Sequence, residues 1–437
     1  MKRSKRNLMA GLLLFGVMAI IGVFSCQKVA YTQMESPAYL RVFNSLNQAR
    51  VMDSKGDTVP YLCMLINAEF NAEGIPVDAE IVGDFLDQRA PYAPPYPSHI
   101  GVGTSLDNPE YPGREAVLVG PVLNGFDLSS WAQVPSGTLR FTFMYRPRSE
   151  VPFFDLDTRY KRGVVVDTTL QLQAGEVYTL QTLLKDFNTG ETGVLLRQES
   201  FHKQALSDSS VYVNFYNYSA DGFLQADPRL KLPTSKHMEH LFELGIRDTM
   251  NIYLSLYDGQ GFYPYEDGIV LNDYQPAHPD YTGKYLTTLY RDNNSSRSNP
   301  YVRFPLWVSR TQDGISTDLW ERLYFIAPGM QLEPNRFDEY AGFYLSHIGG
   351  VMGETGGNFA AINFLLNGQK IYSPDADCGN CAIYNYHAGV NFPNLVISTH
   401  SGSYNPRSFA TVNTVEVING QVYLTTVQRQ YAPPANF

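Results

Sequence analysis

One strand motif occurs twice in this chain, and its recurrence limits the possible folds more than any other feature. Tyr39-Leu40-Arg41-Val42-Phe43-Asn44 and Tyr212-Val213-Asn214-Phe215-Tyr216-Asn217 match in kind, with Tyr first and Asn last, at an offset of 173. In the first copy Leu40 and Val42 alternate with Tyr39, Arg41 and Phe43. A period of two marks a β-strand. A second pair lies further on. Thr169-Leu170-Gln171-Leu172-Gln173-Ala174-Gly175-Glu176-Val177-Tyr178 lines up with Thr414-Val415-Glu416-Val417-Ile418-Asn419-Gly420-Gln421-Val422-Tyr423 at an offset of 245. Each reads as strand, Gly-containing turn, strand, which is a hairpin. The pattern predicts two divergent copies of one β-sandwich, the second carrying 72 extra residues, the difference between the two offsets. Chance alternation in a strand-rich chain is the competing explanation.

The stretches between these markers fit the same class. Strands are predicted at 116–122, 137–145, 164–172, 176–184 and 193–197 in the first copy, and at 251–257, 301–309, 319–326 and 359–367 in the second. Residues 78–87 and 235–244 read as short helices, 90–97 as a Pro/Tyr-rich loop, and 348–357 as a Gly-rich loop. Thirty Tyr and 25 Phe favour strands, and 35 Gly with 27 Pro punctuate them. The fold class expected is all-β, with two tandem immunoglobulin-like β-sandwich domains at 37–204 and 205–437, the second enlarged by insertions.

The N-terminal segment speaks to compartment. Lys2, Arg3, Lys5 and Arg6 precede an uncharged run from Leu8 to Phe24, followed by Ser25 and Cys26. Basic start, apolar run and small residue make a signal peptide, here with a cysteine at the processing site. The layout resembles a bacterial lipoprotein signal, in which residues 1–25 are removed and Cys26 is lipidated, with 26–36 as a tether. A single spanning helix is the alternative, because the 17 residues from Leu8 to Phe24 are just long enough. Processing at Cys26 removes four basic residues and takes the net charge from −10 to −14. So acidic a chain is no nucleic-acid binder, since phosphate binding needs a basic surface.

The repeated strands carry a family resemblance. The chain resembles the Bacteroidota extracytoplasmic lipoproteins with the DUF4397 domain. Those open with a strand like Leu40–Asn44 and close with a Thr-to-Gly-x-x-Tyr hairpin like Thr169–Tyr178. The first copy, residues 38–200, carries the likeness best. It implies an immunoglobulin-like sandwich in the cell envelope and no catalytic residues.

Candidate chemistry is sparse. His237, Glu239, His240 and Glu243 are nearest to a metal cluster, but the i, i+4 histidine pair of zinc proteases is absent, and a solvated helix face fits better. Cys378 and Cys381, with His387 nearby, suit a small disulfide loop in an oxidising compartment; free thiols and a metal site are the other readings. Cys63 is then left over and is expected to be buried. The glycines at 349–357 lack a Lys-Ser/Thr ending, so no phosphate cradle is expected. Asp155 and Asp157 would share one face if they lay on a strand, a pair that glycosidases use but that occurs often by chance. Tyr92, Tyr96, Tyr111, Tyr263, Tyr265, Tyr274 and Tyr281 sit among Pro, Gly, Asp and Asn in expected loops. Tyrosine offers large contact area at small entropic cost, so these are candidate recognition residues; rings that cap the sandwich ends are the alternative.

Together these features predict a non-enzymatic outer-membrane lipoprotein held through lipid on Cys26, without cofactor. It would serve as a subunit or accessory of an outer-membrane protein assembly. A surface module for glycan or peptide, and a fimbria-like adhesive protein, are the alternatives.

Overall fold

The opening strand β1, Ala38–Ser45, is buried along its whole length. Leu40 and Val42 face one hydrophobic core, as their alternation predicts, but Tyr39, Arg41 and Phe43 are covered as well. That second burial decides how the molecule is built. The computed structural model describes residues 34–46, 60–89, 95–97, 117–207, 210–226, 248–258 and 283–305 continuously, and beyond these mainly strands as far as Val427. Residues 36–437 form one compact body.

The first half contains β2 (Tyr61–Ile66), β3 (Ile81–Leu86), β4 (Ala132–Val134), β5 (Gly137–Arg146), β6 (Val164–Leu172), β7 (Val177–Asp186) and β8 (Glu191–Gln198). They form two four-stranded sheets, β8-β7-β1-β4 and β6-β5-β2-β3. Between them lies a core of Leu40, Val42, Leu62, Met64, Phe141, Phe143, Tyr178 and Leu180. Cys63 points the other way from Leu62 and Met64, into a smaller buried cluster with Leu65, Met144 and Phe153.

The second half contains β9 (Ser210–Asn217), β10 (Thr249–Asp258), β11 (Phe262–Tyr265), β12 (Gly268–Leu271), β13 (Lys284–Tyr290), β14 (Val302–Pro305), β15 (Leu319–Ile326), β16 (Phe343–Ser346), β17 (Asn394–Ile397), β18 (Val412–Ile418) and β19 (Gln421–Val427). One sheet runs β14-β9-β18-β19; β10, β13, β15 and β17 belong to a five-stranded sheet. Val213, Phe215, Met250, Ile252, Leu254, Leu323, Val415 and Val417 fill the core between them. β11, β12 and β16 form a separate small sheet.

The two halves repeat one topology. In each, the opening strand lies parallel to the penultimate strand, which pairs antiparallel with the last strand. In each, a middle strand flanks the opening strand on its other side, antiparallel. The register corrects the sequence alignment. Tyr39 lies beside Val177 and Tyr212 beside Val412, so the closing strands are offset by 235 residues, not 245. The extra sequence in the second copy is accordingly 62 residues.

The same register explains the misalignment. Residues 414–423 do form a hairpin, with Ile418 opposite Gln421 and Asn419 at φ +46°. Residues 169–178 do not. β6 belongs to one sheet and β7 to the other, so the turn at 173–176 crosses the sandwich. Gly175 at φ +76° makes that turn, and its N–H donates to the Pro37 carbonyl at 2.8 Å. The Tyr178 hydroxyl accepts the Gln173 N–H at 3.0 Å, a corner bond of the kind found in immunoglobulin-type sandwiches.

Other expectations change locally. The helix at 78–87 is instead a turn and strand β3. Ile81 and Val82 are β-branched and favour a strand, and pairing with β2 turns the Asp84 carboxylate toward buried Arg146. The strand at 116–122 reduces to a bridge from Val119 to Ala132 and a small hairpin of Val122–Leu123 with Phe126–Asp127. Asp155 and Asp157 lie in successive 3-10 turns, where Asp157 accepts the Arg159 N–H at 3.0 Å, so they share no strand face. The strand expected at 301–309 is β14, while 319–326 is β15 as read.

Candidate functional site

The broad face of sheet β8-β7-β1-β4 that turns from its own core packs on the matching face of sheet β14-β9-β18-β19. At one end Tyr39 and Val177 meet Tyr212, Val412 and Val427. At the other, Leu183 and Leu195 meet Tyr216, Tyr218, Ile418 and Tyr423. Strands at the centre of a covered sheet are buried on both faces. Among the described residues the four larger sheets thus enclose three cores, the middle one shared by both halves.

The middle interface holds charge. Glu416 of β18 is 0% exposed. Its carboxylate receives Arg89 and Arg197, each at 2.5 Å, and Gln181 at 3.2 Å. Arg197 also donates to Glu199 at 2.8 Å and to the Tyr218 hydroxyl at 2.9 Å, and its guanidinium lies over the Tyr216 ring at 4.2 Å. Arg89 is sandwiched between the rings of Phe43 at 4.0 Å and Tyr423 at 4.2 Å. Arg41 covers the Trp131 ring at 4.1 Å and donates to Thr179, whose hydroxyl donates to Glu199 at 2.7 Å. Dispersing these charges over aromatic faces and paired carboxylates offsets the large cost of removing them from water.

Electrostatics follow from that burial. Burial alone would raise the Glu416 carboxyl, but Arg89 and Arg197 outweigh it and hold it at about 2. Burial lowers the Arg41 guanidinium to about 10, still protonated at neutral pH. Burial raises the Tyr423 hydroxyl to about 12. All three keep fixed charge states across the physiological range. The cluster is a clamp and presents no nucleophile to solvent.

The predicted recognition tyrosines scatter. Tyr96 is 2% exposed and belongs to the first core, exchanging backbone bonds with Val42 at 2.9 Å in both directions. Its ring therefore fills a sandwich instead of meeting a partner. Tyr263 and Tyr265 lie in strand β11, opposite Val270 and Gly268, and not in a loop. Tyr92, Tyr111, Tyr274 and Tyr281 lie outside the described residues, as do Cys26, Cys378, Cys381, the His237–Glu243 stretch and the glycines at 349–357. Among the described residues no three His, Cys, Asp or Glu side chains group as metal ligands.

Sequence reasoning missed an exposed tyrosine face on the outer sheet of the second half. Tyr285 and Tyr290 of β13 are 51% and 66% exposed. Tyr285 stands opposite Tyr253 of β10, ring centroids 5.6 Å apart and edge-on. Its hydroxyl is 2.7 Å from the Thr288 hydroxyl, which donates to the Asn251 amide oxygen at 2.8 Å. The signal was present in Lys284-Tyr285-Leu286-Thr287-Thr288-Leu289-Tyr290, a strand-rich run that the sequence reading passed over.

No family model matches the chain, and no curated protein matches it. Among solved structures, it aligns with a Bacteroides fragilis chain whose assigned role in cell adhesion is itself provisional. The alignment covers 92% of this chain and 99% of that one, at 11% identity and a TM-score of 0.12. A likeness at that score carries no argument about fold or role.

Proposed function

We propose that the chain is a non-catalytic lipoprotein of the outer membrane, working by contact as a subunit or accessory of an outer-membrane protein assembly. The observation that carries this reading is the Arg89–Glu416–Arg197 clamp between the halves. It uses up one broad face of each sandwich and makes a stiff body of both. Stiffness suits a spacer or docking subunit, and leaves the loop ends and outer sheets for partners. The basic start, the apolar run and Cys26 supply the anchor, since two or three acyl chains hold a protein firmly to a bilayer.

The test has two arms. Cells fed labelled palmitate should yield labelled protein, and Cys26→Ser should abolish the label. Solubilised in mild detergent, the protein should elute with a membrane barrel at fixed stoichiometry. An unlabelled chain that elutes alone would overturn the proposal.

A further inference from the structure

We infer that Arg41 and Trp131, beneath the seam between the halves, hold a buried monovalent anion of chloride size. The site lies beside the Arg89–Glu416–Arg197 clamp and is independent of how the protein is anchored or what it docks with. Arg41 of β1 is 5% exposed, and Trp131, just before β4, is 1% exposed. The Arg41 guanidinium lies over the indole ring at 4.1 Å. Trp131 packs in one cluster with Tyr39 and Phe201 of the first half and Tyr212 and Val412 of the second, so both halves enclose the site.

Three observations lead to an anion. The first is charge. Arg41 donates to the Thr179 hydroxyl at 3.2 Å, a neutral acceptor, and among the described residues it forms no ion pair. The charged groups that act on it are Glu199, Glu416, Arg197 and Arg89, two of each sign. Both carboxylates are already in contact with Arg197 or Arg89. Those four groups cancel, and the charge of Arg41 is left over. Burial outweighs the two carboxylates and pulls its guanidinium down to about 10. Aromatic faces temper a buried cation, but only a counter-charge neutralises it.

The second is the hydrogen-bonding inventory. Arg41 Nε and Trp131 Nε1 are both buried N–H groups without an acceptor. Guanidinium and indole nitrogens donate and never accept. A buried donor left unmet bears its whole desolvation cost. Stacking of guanidinium on indole confines the two donors to one small region, where a single acceptor without protons of its own serves both. A water there would bring two protons that need acceptors in turn. Glu199 Oε2 also lacks a donor, but it is joined to Arg41 only through the Thr179 hydroxyl. The unpartnered ring of His202 lies toward Glu176, at 3.9 Å.

The third is size. Arg41 and Trp131 are nearly closed off from solvent, so the ion is small. One leftover positive charge is matched by one negative charge. A divalent oxyanion would overshoot that charge and bring more oxygens than two donors can meet. A halide fits on both counts. Bound under the seam in the folded protein alone, it stabilises the fold by mass action.

The test uses the full-length protein in mild detergent at constant ionic strength, with sodium chloride replacing sodium gluconate, whose anion is too large for the site. Tm should rise with chloride, and iodide should quench the fluorescence of Trp131 saturably. Trp131→Phe keeps a ring beneath Arg41 and removes the N–H, so the chloride concentration at half effect should rise about tenfold. Arg41→Met should lose the chloride response altogether; if that variant does not fold, Trp131→Phe carries the test. The same Tm in chloride and in gluconate would overturn the inference in favour of water alone. So would a chloride response that Trp131→Phe keeps in full.

Discussion

Gln181 and Glu416 occupy the same place in the two copies, and they bond to each other. The closing strands are offset by 235 residues, and Gln181 plus that offset is Glu416. The Gln181 amide donates to both carboxylate oxygens at 3.2 Å. Equivalent residues that touch across an interface indicate an approximate two-fold relation, as in an isologous dimer. Val177 with Val412, and Leu183 with Ile418, meet in the same way. The halves pack like a dimer joined in one chain. At the centre the symmetry is broken, with an acid in one copy and an amide in the other, so a like-charge clash is avoided.

Glu416→Gln should destabilise the protein by about 3–5 kcal/mol, the usual cost of leaving a buried charge partner uncompensated. Arg89 and Arg197 would both lose the Glu416 carboxylate, and Arg197 would keep Glu199. Denaturant unfolding of the two proteins at neutral pH measures the difference. A loss below about 1 kcal/mol would show that the pairing is not what holds the halves.

Acid should act through the same residue. The Glu416 carboxyl lies at about 2 in the folded protein against an ordinary 4.5. A depressed folded value stabilises above the unfolded one, and the gain is lost as pH falls toward the folded one. At 1.36 kcal/mol per unit the contribution is roughly 3 kcal/mol, fading between about pH 5 and pH 2. Unfolding free energies across that window should fall more steeply for the native chain than for Glu416→Gln, after subtraction of the slope the two share.

Tyr96→Ala separates a core residue from a recognition residue. Emptying a fully buried aromatic site costs about 3–5 kcal/mol. Thermal unfolding should show a large drop in Tm. A surface contact residue would leave Tm unchanged and alter only binding.

Tyr178→Phe removes the corner bond while keeping the ring in the core. The expected loss is about 0.5–1.5 kcal/mol, the net worth of one hydrogen bond. Tyr423→Phe, on the last strand of the second half, removes a bond to the Arg89 carbonyl instead and should weaken the clamp between halves by a similar amount.

Strand positions were legible because alternation is a local signal. β1, β9, β15 and the hairpin of β18 and β19 follow directly from it. The fate of a turn was less legible. Gln173–Glu176 and Asn419–Gly420 both contain glycine between apolar strands, yet one crosses the sandwich and the other folds back. Length decides this. A two-residue Asn-Gly loop fits a tight hairpin, whereas four residues with a tyrosine corner reach the opposite sheet. The second burial of β1 left a trace as well, since Tyr39, Arg41 and Phe43 are large for a solvated face. What no local pattern shows is the pairing of Arg197 with Glu416, 219 residues apart. β3 was misread as helix because its buried Asp84 only makes sense beside Arg146 of β5.

That long-range pairing has a consequence for biogenesis. Translation delivers Arg41, Arg89 and Arg197 well before the carboxylate that neutralises two of them. Until β18 arrives, the earlier sandwich shows a greasy, cationic flank to its surroundings. A chain built in this order carries that flank uncovered through most of its synthesis, and truncation anywhere before residue 416 would leave it open to aggregation.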